Sequence, residues 1–115
     1  MDLDIKWERK EGILIAALAG RIDGNNADVL QETLEFGIGT EDRALILDFE
    51  RVTFISSAGL RVGVIIAWKF KEPGKRFGVC ALADPVRGVI NVSGFDQIID
   101  VYESRAEAIE AFKCN

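Results

Sequence analysis

Two adjacent hydroxyls, Ser56 and Ser57, stand where an apolar run gives way to a helical pattern, and they are the residues of this chain best placed to do chemistry. A serine at a helix start can cap the free amides of the first turn. It can also carry a phosphate beside them, where the positive end of the helix dipole favours the added charge. Spacing alone leaves both uses open, because serine is a preferred cap everywhere. The carboxylates of Asp23 and Asp48 form a second candidate, an acid/base pair, set against the common use of such residues in turns and caps.

Composition narrows the chemistry further. The chain has no histidine, so Ser-His-Asp and Cys-His arrangements are excluded, and imidazole metal clusters with them. Ser57 lacks the Gly-x-Ser-x-Gly elbow of α/β-hydrolases. Pro73-Gly74-Lys75 is a fragment of a phosphate loop without its upstream glycine or its following Ser/Thr, and it comes after a helical pattern rather than before one, so it reads as a basic turn. Cys80 lies in an apolar run and Cys114 near the end, which suits a reducing compartment and no disulfide framework. An enzyme is the weaker class of answer, with no metal or cofactor expected. A corner that binds a protein is the stronger one.

Nineteen acidic against fourteen basic residues give a net charge of −5, the wrong sign for a nucleic-acid partner. The longest apolar stretches, Ile13 to Ala19 and Val62 to Trp68, are too short for direct membrane insertion. The amino terminus lacks the basic start and apolar run of a secretory signal, so a cytoplasmic location is expected.

The elements that must position these residues follow from periodicity. Leu3 to Trp7 and Ile13 to Leu18 read as strands of an opening hairpin around a polar break at Glu8 to Gly12. From Asn26 the apolar residues Ala27, Leu30, Leu34 and Ile38 recur at helical steps, with Gly37 as the stop. Ala44 to Phe49 is a nearly all-apolar central strand. A second helix runs from near Ser57 to before Pro73, with Leu60, Val64 and Ala67 as its inward stripe. Phe77 to Leu82 is a strand. Asp84 and Pro85 are an N-cap and first-turn pair for a third helix stopped by Gly94. Ile98 to Tyr102 is a last short strand, and Ser104 with Glu107 makes a capping box for a fourth helix. At 115 residues, 49 % hydrophobic and 29 % charged, the chain is predicted to be a single α/β domain over residues 1–115: a mixed central sheet with an opening β-hairpin and about four helices. If the strands at Ile13 and Ala44 are parallel, their carboxyl ends share a rim that gathers Asp23, Asn25 and the Ser56-Ser57 turn, with the loop before Asp84 alongside.

The segment from Leu45 through Asp48-Phe49 and Phe54-Ile55 to Ser56-Ser57-Ala58-Gly59-Leu60-Arg61 resembles the signature of the STAS domain, the family of bacterial anti-sigma factor antagonists. Gly20-Arg21-Ile22-Asp23, followed by an Asn/Ala-rich helix start, resembles a second patch of that family, and the succession of elements fits over nearly the whole chain. The resemblance implies a partner-switching module. The unmodified protein would bind an anti-sigma factor with a histidine-kinase-like ATPase fold and so free a sigma factor. Phosphorylation by that partner would turn it off, which leaves room for a PP2C-type phosphatase to restore it. In the family pattern Asp-Ser-Ser/Thr-Gly-Leu the acceptor is the hydroxyl two residues before the glycine, here Ser57, with Ser56 in the place of the aspartate and as a secondary candidate. The alternative is a STAS-like accessory subunit of a lipid-transport or other membrane transport complex, docking without any phosphate.

Phosphorylation would add a charge of about −1.5 to −2 beside Asp23, enough to disrupt an apolar or acidic contact face. On the helix after Ser57, Arg61, Lys69 and Glu72 define a solvent-side arc, and Val62, Ile65 and Trp68 fall within or beside it, where they await either a partner or a covering loop. The expected contact set is Asp23, Asn25, Ser56, Ser57, Ala58, Gly59, Arg61, Val62 and Ile65.

Overall fold

The structure, a computed structural model, describes residues 3–113; Cys114 lies outside them. Strands β1 (Leu3–Lys10) and β2 (Ile13–Ile22) form the opening hairpin. Only Glu11 and Gly12 separate them, both with positive φ (55° and 82°), the geometry of a two-residue type I′ turn. The predicted break is therefore narrower than Glu8 to Gly12. Helix α1 (Ala27–Gly37), strand β3 (Ala44–Ile55), helix α2 (Ser57–Lys69), strand β4 (Arg76–Cys80), helix α3 (Asp84–Ser93), a 3-10 turn (Phe95–Gln97), strand β5 (Asp100–Tyr102) and helix α4 (Arg105–Lys113) follow. The sheet order is β1-β2-β3-β4-β5, antiparallel in the hairpin and parallel thereafter. The expected mixed α/β architecture with four helices is what the chain adopts.

Alternation along the strands builds two cores. Leu14, Ala16 and Leu18 of β2 and Leu45 and Leu47 of β3 meet Leu30 and Leu34 of α1, Val62 and Ile66 of α2, and Val86 and Ile90 of α3. Ile13 and Ile15, with Ala44, Ile46 and Cys80, face the other way and are covered by Ala108 and Phe112 of α4. Cys80 is fully buried, and burial pushes its thiol up to about 12, so it is a core residue without nucleophilic use.

Three local expectations change. Strand β3 does not end at the expected Phe49 but runs on through Arg51-Val52-Thr53-Phe54-Ile55. The inward stripe of α2 is Gly59, Val62, Gly63, Ile66 and Ala67, with Leu60 and Val64 only half-buried beside it. Glycines carry no hydrophobic signal, so a stripe built on two of them is invisible to periodicity. Asp84 is the first residue of α3 and Ala83 its N-cap, with no side-chain cap. The capping box of α4 forms by half: the Ser104 hydroxyl accepts from the Glu107 amide at 3.1 Å, while the Glu107 carboxylate takes the Glu103 amide rather than that of Ser104.

Two buried carboxylates tie distant elements together. Asp42 receives a fork of bonds from Arg9 at 2.9–3.3 Å and the Gly39 amide at 2.7 Å. Burial alone would raise its pKa, but these donors and the charges of Arg9 and Lys75 outweigh it and hold the carboxyl below its ordinary value. Asp48 takes the Arg105 guanidinium at 2.8 Å and the Glu50 amide at 2.9 Å, and Arg105 reaches on to Glu8 at 2.9 Å.

Candidate functional site

Strand β4 ends opposite Asp48, whereas β3 continues seven residues further, paired with β2 alone up to Ile22 opposite Ile55. Register shifts between Ala17 and Ala19 and between Gly20 and Arg21 bend this overhang, as bulges beside functional edges do. At its tip the Ser56 amide donates to the Ile22 carbonyl at 2.9 Å, which brings the β3–α2 corner against the β2–α1 loop. The shared rim is thus real, and it holds Asp23, Asn25, Ser56 and Ser57. The loop before Asp84 is not part of it, because it leaves β4 at the level of Asp48, about 20 Å down the strand. Asp48 is equally far from Asp23 and is committed to Arg105, so the two do not form an acid/base pair.

The two serines divide the roles that the sequence left open. Ser56 is the N-cap of α2, and its Oγ accepts from the Gly59 amide at 3.4 Å. Ser57 is the first helical residue, exposed, and its hydroxyl makes no hydrogen bond among the described residues. No acidic residue occupies the first turn of α2. A hydroxyl so placed is open to an attacking enzyme, and a phosphate on it would sit at the positive end of a 13-residue helix.

The neighbouring loop is a rigid turn. The Asp23 carboxylate accepts from the Asn25 amide at 2.9 Å, while the buried Asn26 side chain accepts from the Asp23 amide at 3.0 Å and donates to the Arg21 carbonyl at 2.8 Å. The Asp23 carbonyl receives the amides of Asn26 and Ala27. Asp23 and Asn25 are thus turn residues, and Asn25 is also exposed on the rim.

From Ser57 an exposed ridge follows the helical period through Arg61 and the half-buried Ile65 to Trp68, which is 67 % exposed. Ala58 is half-buried against the core, and Arg61 makes no ion pair among the described residues. Two members of the expected contact set lie elsewhere. Val62 is 3 % exposed and packs in the core. Gly59 is buried, and a Cβ there would stand 2.6 Å from Ile22 Cγ2 and 2.8 Å from Ile55 Cγ1. Its service is to let α2 approach the two strand ends. Gly59→Ala is expected to destabilise the fold by about 2 kcal/mol through overpacking, read as a lower denaturation midpoint at unchanged m-value. An unshifted midpoint would show that the corner has room to spare.

Sequence reasoning passed over Arg21 and Phe54 as site residues. They are cross-strand partners one step below the rim, with the guanidinium 4.2 Å above the ring and the ring 37 % exposed. Only the register, with its bulges, could pair them.

Compared with known proteins, the chain matches the model of the STAS domain family over residues 4–108. BtrV of Bordetella bronchiseptica, named as a candidate anti-sigma factor antagonist, is 35 % identical over 111 residues, covering 96 % of each chain. The anti-sigma F factor antagonist of Paenibacillus polymyxa is 27 % identical, covering 95 % of this chain and 94 % of its own. The crystal structure of an anti-sigma factor antagonist from Mycobacterium paratuberculosis shares the fold with a TM-score of 0.88, at 24 % identity and over 96 % of this chain and 94 % of that one. Among the described residues no helix is long and apolar enough to cross a membrane.

Proposed function

Because this chain belongs to the STAS domain family, we propose that it is an anti-sigma factor antagonist, one domain over residues 1–115, switched by phosphorylation of Ser57. The observation that carries the switch is the division of labour between the two serines: Ser56 is used by the fold, and Ser57 is exposed, with no hydrogen bond from its hydroxyl among the described residues, at the head of the Arg61–Ile65–Trp68 ridge. In the unmodified state the partner lies across the rim and this ridge, touching Asp23, Asn25, Ser56, Ser57, Ala58, Arg61 and Ile65, with Arg21 and Phe54 at the margin. The partner is an anti-sigma factor with a histidine-kinase-like ATPase fold. It supplies the phosphoryl group from ATP to the Ser57 hydroxyl, whose proton leaves to solvent or to a base of the kinase. This chain offers no histidine to act as its own base. The added charge meets an aspartate-bearing rim and would be closed in with the apolar Ile65 and Trp68, which outweighs the attraction of Arg61 one turn away, so the partner is released. A PP2C-type phosphatase would return the protein to its binding form.

Incubation with the cognate kinase and ATP is expected to add one phosphate to the wild-type chain, mapped to Ser57 by mass measurement, and none to Ser57→Ala. Full modification of Ser57→Ala would move the acceptor to Ser56. Constitutive copurification with a membrane transporter, unaffected by ATP, would favour the accessory-subunit reading instead.

A further inference from the structure

Strand β1 ends the sheet, with β2 on one side only among the described residues. The type I′ turn bonds Lys10 and Ile13 to each other, and this sets the parity of the whole hairpin. The amides and carbonyls of Asp4, Lys6, Glu8 and Lys10 point at β2, while those of Ile5, Trp7 and Arg9 point away from the sheet. Side chains alternate with the same parity. Asp4, Lys6, Glu8 and Lys10 share the α4 face, where Glu8 meets Arg105, and Ile5 and Trp7 lie on the opposite face against the main core and Gly37.

An eight-residue open edge is a template for another strand, and charge decides which strand fits. Two copies of β1 can pair antiparallel only in registers that set outward-pointing residues against each other. Centred on Lys6, such a pair puts Lys6 against its own copy and Asp4 against Glu8. Centred on Glu8, it puts Glu8 against its own copy and Lys6 against Lys10. Both registers oppose like charges. Centred on Ile5, Asp4 faces Lys6 but Glu8 and Lys10 face no described residue, and centred on Arg9 that arginine opposes its own copy. Centred on Trp7, Asp4 faces Lys10 and Lys6 faces Glu8, each twice by symmetry, with the two Trp7 side chains opposed on the other face. Trp7 is 39 % exposed, so it has surface to give to its copy.

We propose that β1 is a self-association edge, at which two copies of the chain pair β1 to β1 antiparallel about Trp7 into one continuous sheet. The outward groups of Ile5, Trp7 and Arg9 supply about six backbone hydrogen bonds across the two-fold axis. The Lys6–Glu8 pair of the interface extends the existing Glu8–Arg105 contact into a chain of alternating charges. The axis stands perpendicular to the sheet, so the two Ser57 corners face opposite ends of the assembly and each remains free for a partner.

Sedimentation velocity of the full chain over a concentration series tests the pairing. The wild-type chain is expected to form a dimer that weakens as salt rises. Asp4→Lys and Lys10→Asp alter exposed residues with no ion pair among the described residues, and each is expected to weaken association at least about tenfold. An equimolar mixture of these two variants is expected to recover a heterodimer, because the introduced lysine of one then faces the introduced aspartate of the other. A wild-type chain monomeric throughout the series, or single variants that associate as tightly as wild type, would overturn the proposal.

Discussion

Ser57→Asp is expected to weaken binding to the anti-sigma partner by on the order of tenfold to a hundredfold, while thermal stability stays level or rises slightly. The two readouts part company for a physical reason. An acidic residue in the first turn interacts favourably with the helix dipole, worth about 0.3–1 kcal/mol, and the first turn of α2 has no acidic residue of its own. The fold therefore tolerates the charge that the partner does not. Ser57→Ala completes the test: its hydroxyl has no bond to lose among the described residues, so stability should change by no more than about 0.5 kcal/mol and partner binding should persist. Ser56→Ala should behave in the opposite way and cost up to about 1 kcal/mol, at the low end for a cap whose bond is 3.4 Å long. Titration calorimetry with the purified partner and thermal unfolding of the free chain measure the two quantities separately. Equal affinity of Ser57→Asp and wild type would refute the charge switch.

The largest stability effect arises in the middle of β3, away from the rim. Arg105→Met is expected to destabilise the domain by about 3 kcal/mol, because it leaves the Asp48 carboxylate, 6 % exposed, without its counter-charge in the centre of β3. For a domain of this size that is a fall in melting temperature of about 10–15 °C. The loss arises from the stranded charge rather than from the worth of the pair, and the double variant separates these. Adding Asp48→Asn removes the charge and keeps an acceptor for the Glu50 amide, so the double variant should regain most of the loss. A double variant no more stable than Arg105→Met would place the cost in lost packing of the arginine stem. Partner binding per folded molecule should be unchanged, since Asp48 lies far from the rim.

Much of this protein is legible in the order of its residues. Alternation over Leu3 to Trp7, the apolar run from Ile13 to Leu18, the helical steps of Ala27, Leu30 and Leu34, the capping pair Ser104 and Glu107, and the turn residues between them announce the order of elements. Each is a local signal, carried by residues within one turn or one strand of each other. The absence of histidine is compositional, and it removes the usual general base whatever the fold. The Ser56-Ser57 corner belongs to the same class, because a cap and a helix start are local facts.

The remainder depended on which elements meet. The bulged register that sets Ile22 opposite Ile55 creates the rim and pairs Arg21 with Phe54, and no periodicity in either strand reports it. The close approach that Gly59 and Gly63 permit turns Val62 inward and leaves Arg61, Ile65 and Trp68 facing out, because an absent side chain is decisive in packing yet silent in a hydrophobic pattern. Asp48 looked like chemistry until Arg105, 57 residues away, claimed it. The sequence by itself determined the succession of strands and helices and the pair of serines that ends β3. Only the tertiary structure assigned one serine to the helix and the other to solvent, since capping is settled by which hydroxyl reaches the Gly59 amide once the strand end, the loop and the helix are docked together.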